Sequence, residues 1–399
     1  MIRKLFLTQD RLILSLTALA LARTVVNMTR RFAYPFLPAI ARGLGVSLEQ
    51  VQTVMAVNSG VGIASPLFGP LSDRYGRKRV LMGALAILSA TAVAGALVPR
   101  FAVFALVMIG FGVVKMIYDP AMFAYIGDRV PYARRGMAIG ATELSWAGAL
   151  IIIAPLAGFL LDRSGLQAVF AALAVFGALV FVLVWRVLPS DHPRGNTLTR
   201  PVSPLAAWSL LRRHPAALGG LGYCLFLGGA NEIFFINYGA WIESSFDLVL
   251  AAVGIVSTVI AAAEVTGEFA VMGLADRLGK RRLALTCATV TSASYVVLPH
   301  LSFSLPVTLI GLFILFVAFE TAIVGSMPLF TELLPEARST MMSGVIAALS
   351  IGRLTGAVAG GALYTTGNFA LVGAVAMIAG LLSVALLWRG VSENSMTNP

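Results

Sequence analysis

Apolar stretches of nearly uniform length, separated by short polar ones, fill the chain from end to end. Crossing a hydrocarbon core of roughly 30 Å takes about 20 helical residues at about 1.5 Å each. Runs of that size are predicted at 11–34, 50–71, 80–98, 101–125, 137–160, 166–187, 215–239, 248–272, 283–300, 305–330, 340–363 and 368–388. The pattern predicts an all-α integral membrane protein of twelve transmembrane helices, because a helix satisfies its own backbone where no water can. Arg23, Asn27, Arg30 and Arg31 interrupt the first run and no small-residue cleavage site follows it, so it reads as a membrane span and not as a removable leader.

The polar punctuation repeats. Gly69-Pro-Leu-Ser-Asp-Arg-Tyr-Gly-Arg-Lys-Arg79 returns as Gly273-Leu-Ala-Asp-Arg-Leu-Gly-Lys-Arg-Arg282, with Asp73 and Asp276 203 residues apart. Asp128-Arg-Val-Pro131 followed by Arg134 recurs as Glu332-Leu-Leu-Pro335 followed by Arg338, at an offset of 204 that Asn27 and Asn231 share. A spacing of half the chain marks a duplicated unit. The intervening stretch 188–214 is polar, basic and proline-containing. It reads as a cytoplasmic linker between two pseudo-symmetric six-helix bundles, residues 1–187 and 215–399.

The string from Gly69 to Arg79 resembles the signature loop of the major facilitator superfamily of secondary transporters. The second copy departs from that pattern, with Met272 where the first glycine belongs. The resemblance implies two bundles rocking about a central site, latched at the cytoplasmic face by this loop. It assigns that gate to Gly69, Asp73, Arg74, Gly76, Arg77, Asp128, Arg129, Asp276 and Arg277, with Arg129 as the partner of Asp73 and Arg77 to Arg79 serving topology. Ala154-Pro155-Leu-Ala-Gly158 is similar to part of a motif of antiporters in the same superfamily, with Leu150 and Ala154 standing where glycines are expected. That similarity implies export.

Composition agrees: hydrophobic residues make up 58%, charged residues 12%, and mean hydropathy is +0.89, whereas a soluble globule carries roughly a quarter charged residues. A net charge of +11 suggests nucleic acid only if the bases form one patch, and here they are dispersed among short loops. Most of them fall on one side if the N-terminus is cytoplasmic, which predicts both termini inside and a multi-pass protein of the cell inner membrane. Cys224 and Cys287 lie in apolar runs and read as packing residues, and His192, His214 and His300 lie outside the spans or at their edges.

Charge within a span is costly and therefore marks function. Arg23, Asn27, Arg30 and Tyr34 follow a 4, 3, 4 spacing on one face of the first helix, with Arg31 off that face. Arg30 and Arg31 have a second reading as side chains that snorkel to the outer headgroups. Lys115 and Asp119 are spaced i, i+4, which predicts an intrahelical ion pair. Glu143 reads as part of a cytoplasmic polar network. In the second half, Asn231, Glu232, Glu264, Glu268 and Glu320 face Arg353 as the one base within the spans. Two carboxylates held close in low dielectric cannot both ionise easily, the property a proton carrier requires. Glu268 lies near the cytoplasmic turn, which leaves Glu264 and Glu320 as the preferred proton sites.

The cavity is thus expected to be basic on its first wall and acidic on its second. Substrate binding is assigned to Arg23, Asn27, Arg30, Tyr34, Lys115, Asp119, Asn231, Glu232 and Glu320, with Arg23 and Lys115 reading an anionic or zwitterionic group. Proton coupling is assigned to Glu264, Glu268, Glu320 and Arg353. No Gly-x-x-x-x-Gly-Lys-Ser/Thr loop occurs, and nothing suggests a channel's ring of equivalent residues. The expected protein is a monomer in the bilayer that exports small amphipathic molecules against protons, with no cofactor or metal and the proton gradient as energy source. A proton-linked importer of a small anionic metabolite and an integral membrane enzyme are the alternatives.

Overall fold

A computed structural model describes residues 2–64, 72, 75–130, 132–189, 211–333 and 338–391. Gly69, Asp73 and Arg74 of the expected gate lie outside the described residues, as does most of the expected linker. The described residues form helices and turns, with no strand among them. Cys224 and Cys287 are unbridged.

The helices are α1 (Ile2–Arg31), α2 (Leu37–Leu44), α3 (Leu48–Gly60), α4 (Arg77–Leu97), α5 (Phe101–Arg129) and α6 (Tyr132–Val187) in the first half of the chain. In the second they are α7 (Pro215–Phe235), α8 (Tyr238–Phe246), α9 (Leu250–Leu278), α10 (Lys280–Val297), α11 (Leu305–Leu333), α12 (Arg338–Tyr364) and α13 (Phe369–Gly390). Among the described residues, ten stretches are long and apolar enough to cross a membrane. One of them, Thr142–Val187, holds 46 residues and breaks at Gly165, whose φ of 73° lies in the left-handed region open to glycine. The expected span at 50–71 is seen as α3 and a 3-10 turn, Val61–Ala64, beyond which the description stops.

Two expectations about element ends are corrected. The first span does not stop near residue 34: a 3-10 turn, Tyr34–Phe36, leads into α2, so the apolar stretch runs to Leu44. Likewise α7 does not end the seventh span at 239, because α8 carries it on to Phe246. Pro35 and Pro38 stand in the first turns of the 3-10 turn and of α2, where the missing N–H of proline is not needed.

Local signals fix the other ends. Ser47 and Gln50 form a capping box at the start of α3, with Ser47 Oγ accepting from the Gln50 N–H at 3.2 Å and Gln50 Oε1 accepting from the Ser47 N–H at 3.0 Å. Gly76 and Gly279, 203 residues apart, precede α4 and α10 with φ of 88° and 85°. The repeat therefore reaches the backbone of both turns.

It also reaches the bonds between helices. Lys78 Nζ donates to the carbonyls of Trp185 at 2.7 Å and Leu188 at 2.5 Å. Arg281, 203 residues on, donates to the carbonyls of Trp388 at 2.6 Å and Val391 at 2.5 Å, which are displaced by the same 203. Lys78 thus ties α4 to the end of α6, and topology is not its sole task. The joint of α1 with α5 is a bond from Tyr118 Oη to the Leu19 carbonyl at 2.9 Å. Between α7 and α11 Tyr223 Oη donates to the Ala322 carbonyl, also at 2.9 Å, with donor and acceptor exchanged between the helices.

The two halves meet along close backbone approaches. A Cβ built on Gly158 of α6 would lie 2.6 Å from the Leu250 carbonyl oxygen, and one on Gly254 of α9 would strike the carbonyl of Ala154. Small residues permit such helix approaches in membranes. Gly254→Val is expected to lower stability by about 1–3 kcal/mol, read as a lowered melting temperature in detergent. Gly148→Ala, with nothing within 4 Å of its added carbon, serves as the neutral control; equal melting of the two variants would refute this packing.

Candidate functional site

The polar side chains of α1 divide between two environments. Arg23 and Asn27 turn into the first half of the chain. Arg23 meets Asp119 at 3.2 Å and Glu143 at 3.0 Å, and donates to the Thr142 carbonyl at 2.9 Å. Lys115 meets Asp119 at 2.8 Å, the intrahelical pair its spacing predicts, and donates to Asn27 Oδ1 at 2.7 Å. Asn27 in turn donates to Ser145 Oγ at 3.2 Å. Two bases face two carboxylates here, so Arg23 and Lys115 carry no spare charge for a substrate anion. Glu143 is placed on Arg23, in the same network as Asp119 and Lys115.

Arg30, Arg31 and Tyr34 reach the second half. Neither arginine snorkels: Arg31 is 2% exposed and grips Glu264 of α9 in a fork, with Nη1 to Oε2 at 2.7 Å and Nη2 to Oε1 at 2.8 Å. The position judged off the polar face of α1 is thus the one that bridges the halves most directly. Arg30 donates to Tyr34 Oη at 2.8 Å and to Ser59 Oγ at 2.8 Å, and stands 3.8 Å from Glu232. Tyr34 Oη donates to Glu232 Oε1 at 2.5 Å, closing a chain from α3 through α1 to α7. The expected basic and acidic walls are not separate, because the charges pair across the boundary.

Trp146 of α6, which sequence reasoning missed, lies at the centre of these groups. Its indole N–H donates to Glu264 Oε1 at 3.3 Å and its carbonyl accepts from Arg31 at 3.0 Å. Its ring faces Arg31 at 4.4 Å, Lys115 at 5.4 Å and Arg353 at 5.8 Å. Bases from α1, α5 and α12 thereby gather around one indole ring, whose π faces attract cations. The available signal was an indole donor deep in a predicted span, where lipid offers it no acceptor.

The remaining carboxylates behave differently from expectation. Glu264, preferred as a proton site, is held by Arg31. Glu268 and Glu320 are 9% and 7% exposed and have no ion pair or hydrogen bond among the described residues. They are absent from the polar atoms both enclosed and unpartnered, so their oxygens are not fully sealed by the described residues. Glu268, set aside as part of the turn, is therefore buried beside Glu320, whose Cβ would lie 2.8 Å from a Cβ on Gly267. Asn231 is turned away from the other polar groups, accepting from Tyr295 Oη at 3.3 Å within the second half.

A further set closes one end of the boundary. Arg42 of α2 pairs with Glu243 of α8 at 2.5 Å, and Gln52 donates to Asn237 Oδ1 at 2.6 Å. Asp162 Oδ2 accepts from the Ala251 N–H at 2.9 Å, at the start of α9. All of these lie toward the end away from the chain termini. At the other end, Arg77 meets Asp128 at 3.2 Å and donates to Ser72 Oγ at 2.5 Å. Arg129 stacks on Tyr125 at 4.1 Å, and Arg277 is exposed at the end of α9. The Asp276 side chain lies outside the described residues, and because Asp73 does too, so does its expected pairing with Arg129. Among the described residues no cluster of His, Cys, Asp and Glu is arranged to hold a metal ion.

The profile of the Major Facilitator Superfamily matches residues 19–248 and 221–399. The uncharacterized MFS-type transporter YceJ of Bacillus subtilis is 25% identical over 356 residues, covering 88% of this chain and 90% of the relative. The multidrug resistance protein MdtG of Dickeya zeae is 32% identical over 161 residues, 38% of each chain. The multi-drug resistance efflux pump PmrA of Streptococcus pneumoniae is 26% identical over 164 residues, 39% of this chain and 40% of the pump. Among solved structures, a D-xylose-proton symporter superposes with a TM-score of 0.81 over 97% of this chain and 100% of its own, at 14% identity. An inward-facing, occupied bacterial homolog of the human lysosomal transporter Spinster superposes with a TM-score of 0.74 over 96% and 98%, at 14% identity. Likeness at that identity speaks to the fold alone.

Proposed function

This chain belongs to the Major Facilitator Superfamily, and from that premise we propose that it is a proton-coupled secondary active transporter exporting small amphipathic molecules by alternating access. The fold is then twelve spans in two six-helix bundles, residues 1–187 and 215–399, joined by a linker at 188–214. The bonds repeated at an offset of 203 support that division. A monomer in the cell inner membrane with both termini cytoplasmic agrees with the distribution of basic residues.

The observation that carries the coupling is the pair Glu268 and Glu320. An ionised carboxylate buried without a partner costs several kcal/mol, and taking up a proton removes that cost. The two sit beside Glu264, which Arg31 ties to the other half. Proton occupancy at Glu268 and Glu320 therefore changes the field on the link between the halves, which is the element that must break for the central space to change sides. The outer set led by Arg42 with Glu243 holds that boundary shut on one side. The central space would be lined by Arg30, Tyr34, Glu232, Trp146, Glu320 and Arg353, with Arg23, Asn27, Lys115 and Asp119 supporting α1 from behind. Similarity over parts of the chain to MdtG, a multidrug resistance protein, and to PmrA, a multi-drug resistance efflux pump, supports efflux.

Everted membrane vesicles containing the protein are expected to take up amphipathic dyes when a proton gradient, acid inside, is imposed, and to release them when a protonophore collapses it. Dye movement indifferent to the gradient would refute the coupling. Movement in the direction of the protons would select the second reading, proton-linked import of a small anion, which the uncompensated Arg353 favours.

A further inference from the structure

Four of the bases in the spans have carboxylate partners: Arg23 with Asp119 and Glu143, Lys115 with Asp119, Arg31 with Glu264, and Arg30 with Glu232. Arg353 of α12 has neither an ion pair nor a hydrogen bond among the described residues. The ring of Trp146 lies 5.8 Å from its guanidinium carbon. Arg30, Glu232, Tyr34 and Glu320 lie within electrostatic range of it, but no carboxylate oxygen comes within 4.0 Å. Its nitrogens are not among the enclosed unpartnered atoms, whereas Arg31 Nε is. The Arg353 fork is therefore not sealed by the protein, and the indole beside it is only partly covered.

A guanidinium in that position offers parallel N–H donors matched to a carboxylate or sulfonate, and it loses little water in doing so. The adjoining indole offers a flat apolar surface for a ring. Arg30 adds a second positive charge nearby, and Glu320 opposes it unless the carboxyl holds a proton.

We propose that Arg353 and Trp146 form a subsite for an organic anion, the guanidinium holding a carboxylate or sulfonate and the indole stacking on the aromatic ring that bears it. The subsite rests on the reading of this central space as a transport site. It narrows the substrate from amphipathic molecules in general to aryl anions. Glu320 tunes its affinity: with a proton on Glu320 the anion meets the positive charge of Arg353 and Arg30 without that carboxylate against it, and without one it meets a further opposing charge beside that of Glu232.

The test is calorimetric titration of the full-length protein in nanodiscs with three matched probes: 1-naphthoate, 1-naphthamide and 1-naphthylmethylammonium. Naphthoate is expected to bind at least about tenfold more tightly than either of the others. Arg353→Gln should weaken naphthoate by about tenfold or more and leave naphthamide unchanged, with Arg353→Lys in between. Glu320→Gln should strengthen naphthoate. Equal binding of the amide or the ammonium, no binding of any probe, or naphthoate affinity indifferent to Arg353→Gln would each overturn the proposal. If Arg353→Gln fails to fold, the comparison of naphthoate with naphthamide on the unaltered protein decides. No gradient is imposed, so loss of gradient-driven dye flux with naphthoate binding intact counts against coupling alone. Failed naphthoate binding with dye flux intact counts against the anion subsite alone.

Discussion

Removing the Glu264 carboxylate while leaving Arg31 in place is expected to destabilise the protein by about 3–5 kcal/mol, the usual cost of stranding one partner of a buried ion pair. Arg31 is 2% exposed, its fork is filled by Glu264, and its Nε has no partner even now. With Glu264→Ala the remaining acceptor is the Trp146 carbonyl, which neutralises nothing. The double variant Arg31→Met, Glu264→Leu should recover most of the loss, since apolar residues of similar bulk replace such pairs at little cost. Melting temperatures in detergent check this: the single variant should fall well below both the unaltered and the double-variant proteins. Single and double variants that melt together would mean that the pair is not the enclosed bridge described above.

The second large effect concerns protons. Glu320→Gln and Glu268→Gln are each expected to cut gradient-driven flux by about tenfold or more, equivalent to about 1.4 kcal/mol of barrier. Substrate exchange without a gradient should continue. Glutamine keeps the shape of the side chain and its hydrogen-bonding capacity but cannot gain or lose a proton, so the pH dependence of flux should flatten in both variants. Flux that keeps its pH dependence in the double variant would move the coupling elsewhere. Since neither residue has an ion pair among the described residues, these changes strand no buried base, and stability should shift by less than in Glu264→Ala.

Sequence periodicity located much of this. An all-helical chain of membrane-length apolar stretches follows from run length, and the turn at Gly76, the polar face of α1 and the pair of Lys115 with Asp119 follow from local spacings. What it could not see were partners hundreds of residues apart. Spacing alone sets Arg31 off the face shared by Arg23, Asn27, Arg30 and Tyr34 and says nothing of what packs there. In the fold, α1 is surrounded by polar partners on two sides, so Arg23 and Asn27 face α5 and α6 while Arg31 faces α9. Glu264 seemed free for the same reason, its partner being 233 positions away. Trp146 was invisible to a search for charge, because its role depends on the bases that gather around it. The short helices α2 and α8 were hidden by prolines and by an irregular turn at Asn237.

The exchanged tyrosine joints, Tyr118 to Leu19 and Tyr223 to Ala322, show what an architecture of this kind holds fixed. The crossing point of two rods persists while the chemistry that rivets it migrates from one rod to the other. A hydroxyl moved from α5 to α1, or from α7 to α11, should therefore reinstate a joint that its loss had loosened, because a helical carbonyl keeps a second lone pair that can accept it on either side of the crossing.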